Sequence, residues 1–197
     1  MAKKKKIIEE PTLVDDTLKS APIVETPKLP TSPVEEKSIG YIDGETQLSK
    51  YLKVKDFILS ATAQARKIDN RLPASLLQNA KNIASLYDKI YEQFNGNVQV
   101  SSGYRSPALN SAVRGSSTSQ HKSAQAIDVQ GKNGVKNADI LRWVQKNLRY
   151  NQLIWEYGNS VEPRWVHIGY GDRMQFLRIG VKSEKGLFMH LSDDVDI

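Results

Sequence analysis

The sequence predicts an α+β domain in which helices pack on a mostly antiparallel sheet. Two stretches with helical character come first, at residues 46–67 and 73–96. Three strand-like runs then follow close together, "QLIWEY", "RWVHIGY" and "MQFLRIGV", separated by short turn-rich pieces. Helices followed by clustered strands are the pattern of helices laid on an antiparallel sheet.

Residues 1–40 stand apart. They hold five of the eight prolines and no aromatic residue, and their apolar residues come in small clusters such as Ile7-Ile8 and Leu13-Val14. So little burial does not offset chain entropy, and the segment is expected to be a disordered or extended tail. "MAKKKK" reads as a solvated charge run. The short apolar clusters also suit a tail that anchors the chain to a larger assembly and orders on binding. The tail carries seven lysines against seven acids, so the whole net charge of +6 belongs to residues 41–197, the expected domain.

Within that domain "TQLSKYLKVKDFILSATAQARK" has no proline or glycine and an imperfect helical spacing, which predicts a helix. After Pro73 the positions Leu76, Ala80, Ile83, Tyr87 and Ile90 step by four, three, four and three, an amphipathic helix that Gly96 closes. "NVQV" is a short strand leading into "SSGYRSPALN", where Pro107 can start a brief helix. "NADILRWVQKNL" reads as a helix with Asn137 as cap and Ile140, Leu141, Val144 and Leu148 as its buried stripe. "GLFMHL" is a candidate for a further strand.

Composition removes several chemistries. There is no cysteine, which excludes disulfides, thiolate metal sites and cysteine nucleophiles, so any metal must sit on nitrogen and oxygen. No apolar run approaches the roughly 18 residues of a membrane span, and the basic start is followed by acids and prolines, so neither a membrane span nor a signal peptide is expected. The basic domain suits a polyanionic partner, for which acidic wall polymers serve as well as nucleic acid. No nucleic-acid-binding motif is present.

The three histidines are His121, His167 and His190. In "RWVHIGY" strand alternation puts Trp165, His167 and Gly169 on one face and Val166, Ile168 and Tyr170 on the other. In "AQAIDV" it separates Ala126 and Asp128 from Ile127 and Val129. Neighbouring strands can therefore present His167 and Asp128 to one side, with His121 arriving from the loop before. Two imidazoles and one carboxylate suit Zn²⁺, and three protein ligands leave a fourth tetrahedral position open, as catalytic sites require. His190 lies outside this group and reads as structural.

"SQHKSAQAIDV" followed by "WVHI" resembles the signature of peptidase family M15, the zinc D-alanyl-D-alanine carboxypeptidases and peptidoglycan endopeptidases: Ser-x-His-x-x-Gly-x-Ala-x-Asp, then Trp-x-His. The upstream "SSGYRSPALN" is similar to the family's Ser-Gly-Tyr-Arg-Ser segment. The resemblance covers most of residues 98–180 in the family's order and implies the Hedgehog/DD-peptidase-like fold. It implies that His121, Asp128 and His167 bind Zn²⁺. Arg105 would contact substrate and stabilise charge on the attacked carbonyl. Ser119 and Gln120 would shape the ligand loop, and Tyr104 or Trp165 would line the cleft or pack beside it.

Two positions depart from the family pattern. Several members carry a glutamate three residues before the last histidine, where this chain has Arg164; Glu156 at the end of "QLIWE" is then the expected general base and Glu162 the alternative. Ala124 stands where the signature has glycine, which strains the loop if that position needs a positive φ.

The implied activity is metal-assisted hydrolysis of a peptide bond in peptidoglycan stem or cross-link peptides. The expected setting is a phage lysin in the host cytoplasm before lysis, or a virion-associated wall hydrolase whose tail contacts other virion proteins. The rival expectation is a virion structural protein that keeps the fold with weak or no catalysis.

Overall fold

The computed structural model describes residues 40–179. The tail before Gly40, the run "GLFMHL" and His190 lie outside the described residues. No helix among the described residues is long and apolar enough to cross a membrane.

The amphipathic segment after Pro73 forms one turn of 3-10 helix, Ala74–Leu76, and then α3, Leu77–Gln93. Ala80, Ile83, Ala84, Tyr87 and Ile90 make its buried face. Gly96 ends it in a left-handed turn, φ 77°, where its N–H donates to Tyr91 O at 2.8 Å. The expected single helix over 46–67 is instead two short ones, α1 (Val54–Phe57) and α2 (Ala61–Arg66). The start of that segment is drawn out of helical form by the Asp88 carboxylate on α3. Ser49 Oγ and the backbone N–H groups of Lys50 and Tyr51 all donate to it, at 2.8–3.1 Å.

Five strands follow the expected runs: β1 (Val98–Ser102), β2 (Ala126–Gly131), β3 (Gln152–Glu156), β4 (Trp165–Gly169) and β5 (Gln175–Ile179). Their order in the sheet is β1-β2-β4-β3-β5, antiparallel throughout except for the parallel pair β3/β5. Pro107 opens α4 (Pro107–Ala112), which Ser106 caps through Oγ. The last helix is α5 (Asn137–Asn147). This is the expected α+β architecture.

Strand alternation sorts the sheet into an apolar and a chemical face. Ile127, Val129, Leu153, Trp155, Val166 and Ile168 are completely buried in the core with the apolar faces of α3 and α5. At about 1.5–3 kcal/mol for each large apolar side chain, this burial locks the strands in register. The opposite face carries Asp128 and His167.

Asn137 is not the cap of α5. It is the first helical residue; its Oδ1 accepts from Gly131 N–H and its Nδ2 donates to Pro163 O and Arg164 O. The helix end is satisfied from another loop, where Glu162 Oε1 accepts the Asn137 N–H at 2.6 Å, a placement that also suits the positive end of the helix dipole.

Asn70, 8% exposed, sews the strand-to-α4 connection to the loop before α2. Its Nδ2 donates to Ile58 O (2.7 Å) and Tyr104 O (3.1 Å), and its Oδ1 accepts from Ser106 N–H (2.7 Å). Truncation would leave three backbone groups without their partner. Asn70→Ala is expected to destabilise the protein by about 2–4 kcal/mol in denaturant titrations.

Candidate metal centre

The centre is assembled by one row of residues running across the sheet. Ser102 pairs with Asp128, Asp128 with His167, His167 with Ile154, and Ile154 with Leu177. Cross-strand partners share a face, so the aspartate and the histidine expected to converge do so. Ser102 joins the row through an irregularity in β1: Val100 pairs with Val129, yet Ser102 pairs with the next residue, Asp128. The extra residue re-aims the end of the strand.

His121 enters from a 3-10 turn, Gln120–Ser123, just before β2. It is held at two points by the segment after β1. Its Nδ1 donates to Gly103 O at 2.6 Å, and its own carbonyl accepts from Arg105 N–H at 3.1 Å. Gly103 is required here, because a Cβ would collide with the carbonyl and ring of Phe57 at the end of α1. The imidazole's proton on Nδ1 leaves Nε2 as a lone pair aimed at the cluster.

His121 Nε2, His167 Nδ1 and Asp128 Oδ1 form a triangle with edges of 3.1, 2.9 and 3.2 Å. The three residues are only 2%, 5% and 3% exposed. Gathering three lone-pair donors away from water is unfavourable without a cation or proton among them. In a tetrahedral zinc site, bonds of about 2.0–2.1 Å set ligand atoms roughly 3.3–3.4 Å apart. The donor types and the tautomer of His121 fit a metal such as zinc, the three edges being up to a few tenths of an ångström tighter than that set, and these residues could hold one.

Arg105 lines the cleft and also engages the ligand set. Its Nη2 donates to Asp128 Oδ2 at 2.7 Å and its Nε to Ser102 Oγ at 2.9 Å, so one arm of the fork holds the carboxylate while Ser102 steadies the guanidinium. Burial opposes the charged form of Asp128, but the facing His121 and His167 rings outweigh it and hold the carboxyl well below the usual range; the guanidinium acts in the same direction.

Glu156 ends β3 directly opposite Trp165 on β4, on the same face as His167. Burial, and secondarily the charge of Asp128, push its carboxyl up. Trp165 lines the same cleft, and its indole N–H, turned to the Glu156 carboxyl, works against part of that rise. Tyr157, exposed at the rim, has its ring 5.0 Å from that of Trp165.

Of the other candidates, Ser119 and Gln120 line the cleft, whereas Tyr104 is buried in the core. Glu162 is engaged at the α5 terminus and is not a cleft residue. Ser102 and the Gly103 carbonyl were not singled out as functional from sequence, although both lie inside the quoted "SSGYRS". Asn70 has no local signature at all.

A family model described as Peptidase M15 matches residues 50–169. No curated protein gives a significant match.

Ala124, at the family's glycine position, has φ 55° and closes the turn carrying His121. An alanine in this conformation costs roughly 1–2 kcal/mol, and its buried methyl returns about 0.8 kcal/mol. Ala124→Gly is expected to stabilise the protein by about 0.5 kcal/mol, seen as a raised denaturation midpoint with unchanged slope.

Proposed function

The chain belongs to peptidase family M15, and on that premise we propose that it hydrolyses a peptide bond in the stem or cross-link peptides of bacterial peptidoglycan, with zinc held by His121, Asp128 and His167. The observation that carries this proposal is the closure of two imidazole nitrogens and one carboxylate oxygen to about 3 Å of one another in a cleft that Glu156 and Arg105 also line.

When bound, zinc supplies a Lewis acid that polarises a carbonyl and acidifies water. The remaining work falls to the chain's own residues. Glu156, whose carboxyl favours the proton more than an ordinary glutamate, takes a proton from the attacking water and returns it to the departing amine. Arg105 holds Asp128 through Oδ2, which turns Oδ1 to the centre. Its Nη1, without a partner among the described residues, is the donor left for charge developing on the substrate. Gly103 and the Arg105 N–H keep the His121 ring in place and in one tautomer. Ile154 and Leu177 extend the row as an apolar floor.

The setting we propose is a phage lysin or virion-associated wall hydrolase, with residues 1–40 as an anchor and 41–197 as the peptidase domain. What supports the anchor is the tail's composition, rich in proline and without aromatics.

Three outcomes are expected. Zinc at about a thousand times its dissociation constant should stabilise the wild type by about 4 kcal/mol, visible as a rise in melting temperature, and His167→Ala should abolish the rise. Digestion of purified peptidoglycan, with fragments identified by mass, should proceed with wild type and fail with His167→Ala. Glu156→Gln should lower turnover by about 10²–10⁴-fold while keeping bound zinc near one per chain; equal turnover by the variant would remove Glu156 as the base.

A further inference from the structure

The cleft around the cluster has a volume of about 710 Å³ and unlike walls. Ile154 and Leu177 from the sheet are apolar, whereas the turn after α4 contributes Arg114, Ser116 and Thr118. Besides the histidines, the charged residues that line it are Arg105, Arg114 and Glu156. Arg105 is committed to Asp128, and Glu156 sits beside the cluster as the proposed base. Arg114 is left over.

Among the described residues Arg114, like Arg164 and Arg173, makes no ion pair and no side-chain hydrogen bond, and of these three it alone lines the cleft. Its backbone, in contrast, is locked. It takes φ 57°, and its N–H donates to Ser111 O at 3.0 Å. The next residue, Gly115, donates its N–H to Asn110 O at 2.8 Å. Asn110, 4% exposed, ties the turn from inside through Nδ2, at 3.3 Å to Gly115 O and 2.9 Å to Ser116 O. A Cβ at Gly115 would run into that same amide. A non-glycine residue held left-handed costs roughly 1–2 kcal/mol, and such strain collects where a side chain must be presented at one spot.

A planar guanidinium with no acid of its own, rooted in a fixed backbone at the exposed wall of a peptide-cleaving cleft, is suited to receive a carboxylate through paired hydrogen bonds. We infer that Arg114 is a specificity-determining residue that binds a carboxylate of the substrate, so that preferred peptides carry a free carboxylate close to the bond that is cut. This rests on the peptidase activity proposed above. It adds to that activity one residue, Arg114, and the group it reads on the stem or cross-link peptide, the carboxylate being either the peptide's C-terminus or a side chain.

The test uses full-length, zinc-loaded wild type, Arg114→Gln and Arg114→Lys on two pairs of synthetic stem peptides. Within each pair the peptides differ only in a carboxylate or carboxamide, at the C-terminus in one pair and on a side chain next to the scissile bond in the other. Wild type should favour the carboxylate in one pair by about tenfold in kcat/KM, carried by KM, and that pair identifies the source of the group. Arg114→Gln should bring the ratio within the pair to about one, and Arg114→Lys should restore part of it. Because the ratio is taken within each variant, it does not depend on the fraction of protein folded. No carboxylate preference in wild type, or a preference that survives Arg114→Gln, overturns the assignment of Arg114 and leaves the peptidase activity standing. Failure of wild type on all four peptides overturns both.

Discussion

The pairing of Asp128 with His167 across β2 and β4 is the constraint on which the site depends. In a strand, a slip of one residue exchanges the faces, and here it would turn His167 into the helix layer and Val166 or Ile168 into the cleft. What forbids the slip is on the other side of the sheet. Ile127, Val129, Val166 and Ile168 are all fully buried, and exposing even two of them would cost several kcal/mol. The hydrophobic effect, which has no directional chemistry, thus fixes the register of two polar side chains that it never touches. The irregularity in β1 extends the same row to Ser102 and so to Arg105.

Holding an aspartate and two histidines nearly dry has its own cost, and residues 102–106 offset most of it. Arg105 neutralises Asp128, Ser102 supports Arg105, and the Gly103 carbonyl takes the one ring proton that has to point outward. That segment is in turn fixed by Asn70, from a loop more than thirty residues earlier in the chain. The "SSGYRS" sequence is therefore also the support on which the ligand set rests. Its last four residues have distinct jobs: close approach at Gly103, core packing at Tyr104, charge at Arg105 and helix capping at Ser106.

Strand alternation was sufficient to read which residues of β2 and β4 face the chemistry, because it depends only on the pleat. The convergence of His121, Asp128 and His167, and the position of Glu156 beside them, were legible for the same reason once the family's motif order was noticed. Residues 46–67 were not, since a single carboxylate on α3 captures three donors there and overrides local helical preference. The helix end that Asn137 was expected to cap is served by Glu162 for a similar reason. Both are capping-type side chains, and only the tertiary approach of the 157–164 turn to α5 decides which one serves the helix end. Arg114 belongs to no motif; its interest comes from a missing partner, a property that spacing alone does not encode.

The three ligands are not equally fixed, and this bears on how the site accommodates an ion. His121 is tethered through its second ring nitrogen and through its backbone, and Asp128 through its second oxygen. His167 has no comparable anchor among the described residues: its Nδ1 faces the cluster, and its Nε2 has no hydrogen-bond partner there. The triangle's shortest edge, 2.9 Å, joins His167 to Asp128, below the roughly 3.3 Å of a tetrahedral zinc set. A rotation about the His167 side-chain bonds that opens this edge breaks no hydrogen bond outside the cluster among the described residues. Two ligands are thus preset by buried hydrogen bonds and the third adjusts, so the geometry reached on binding is dictated by the tethered pair and the ordering cost falls on one imidazole.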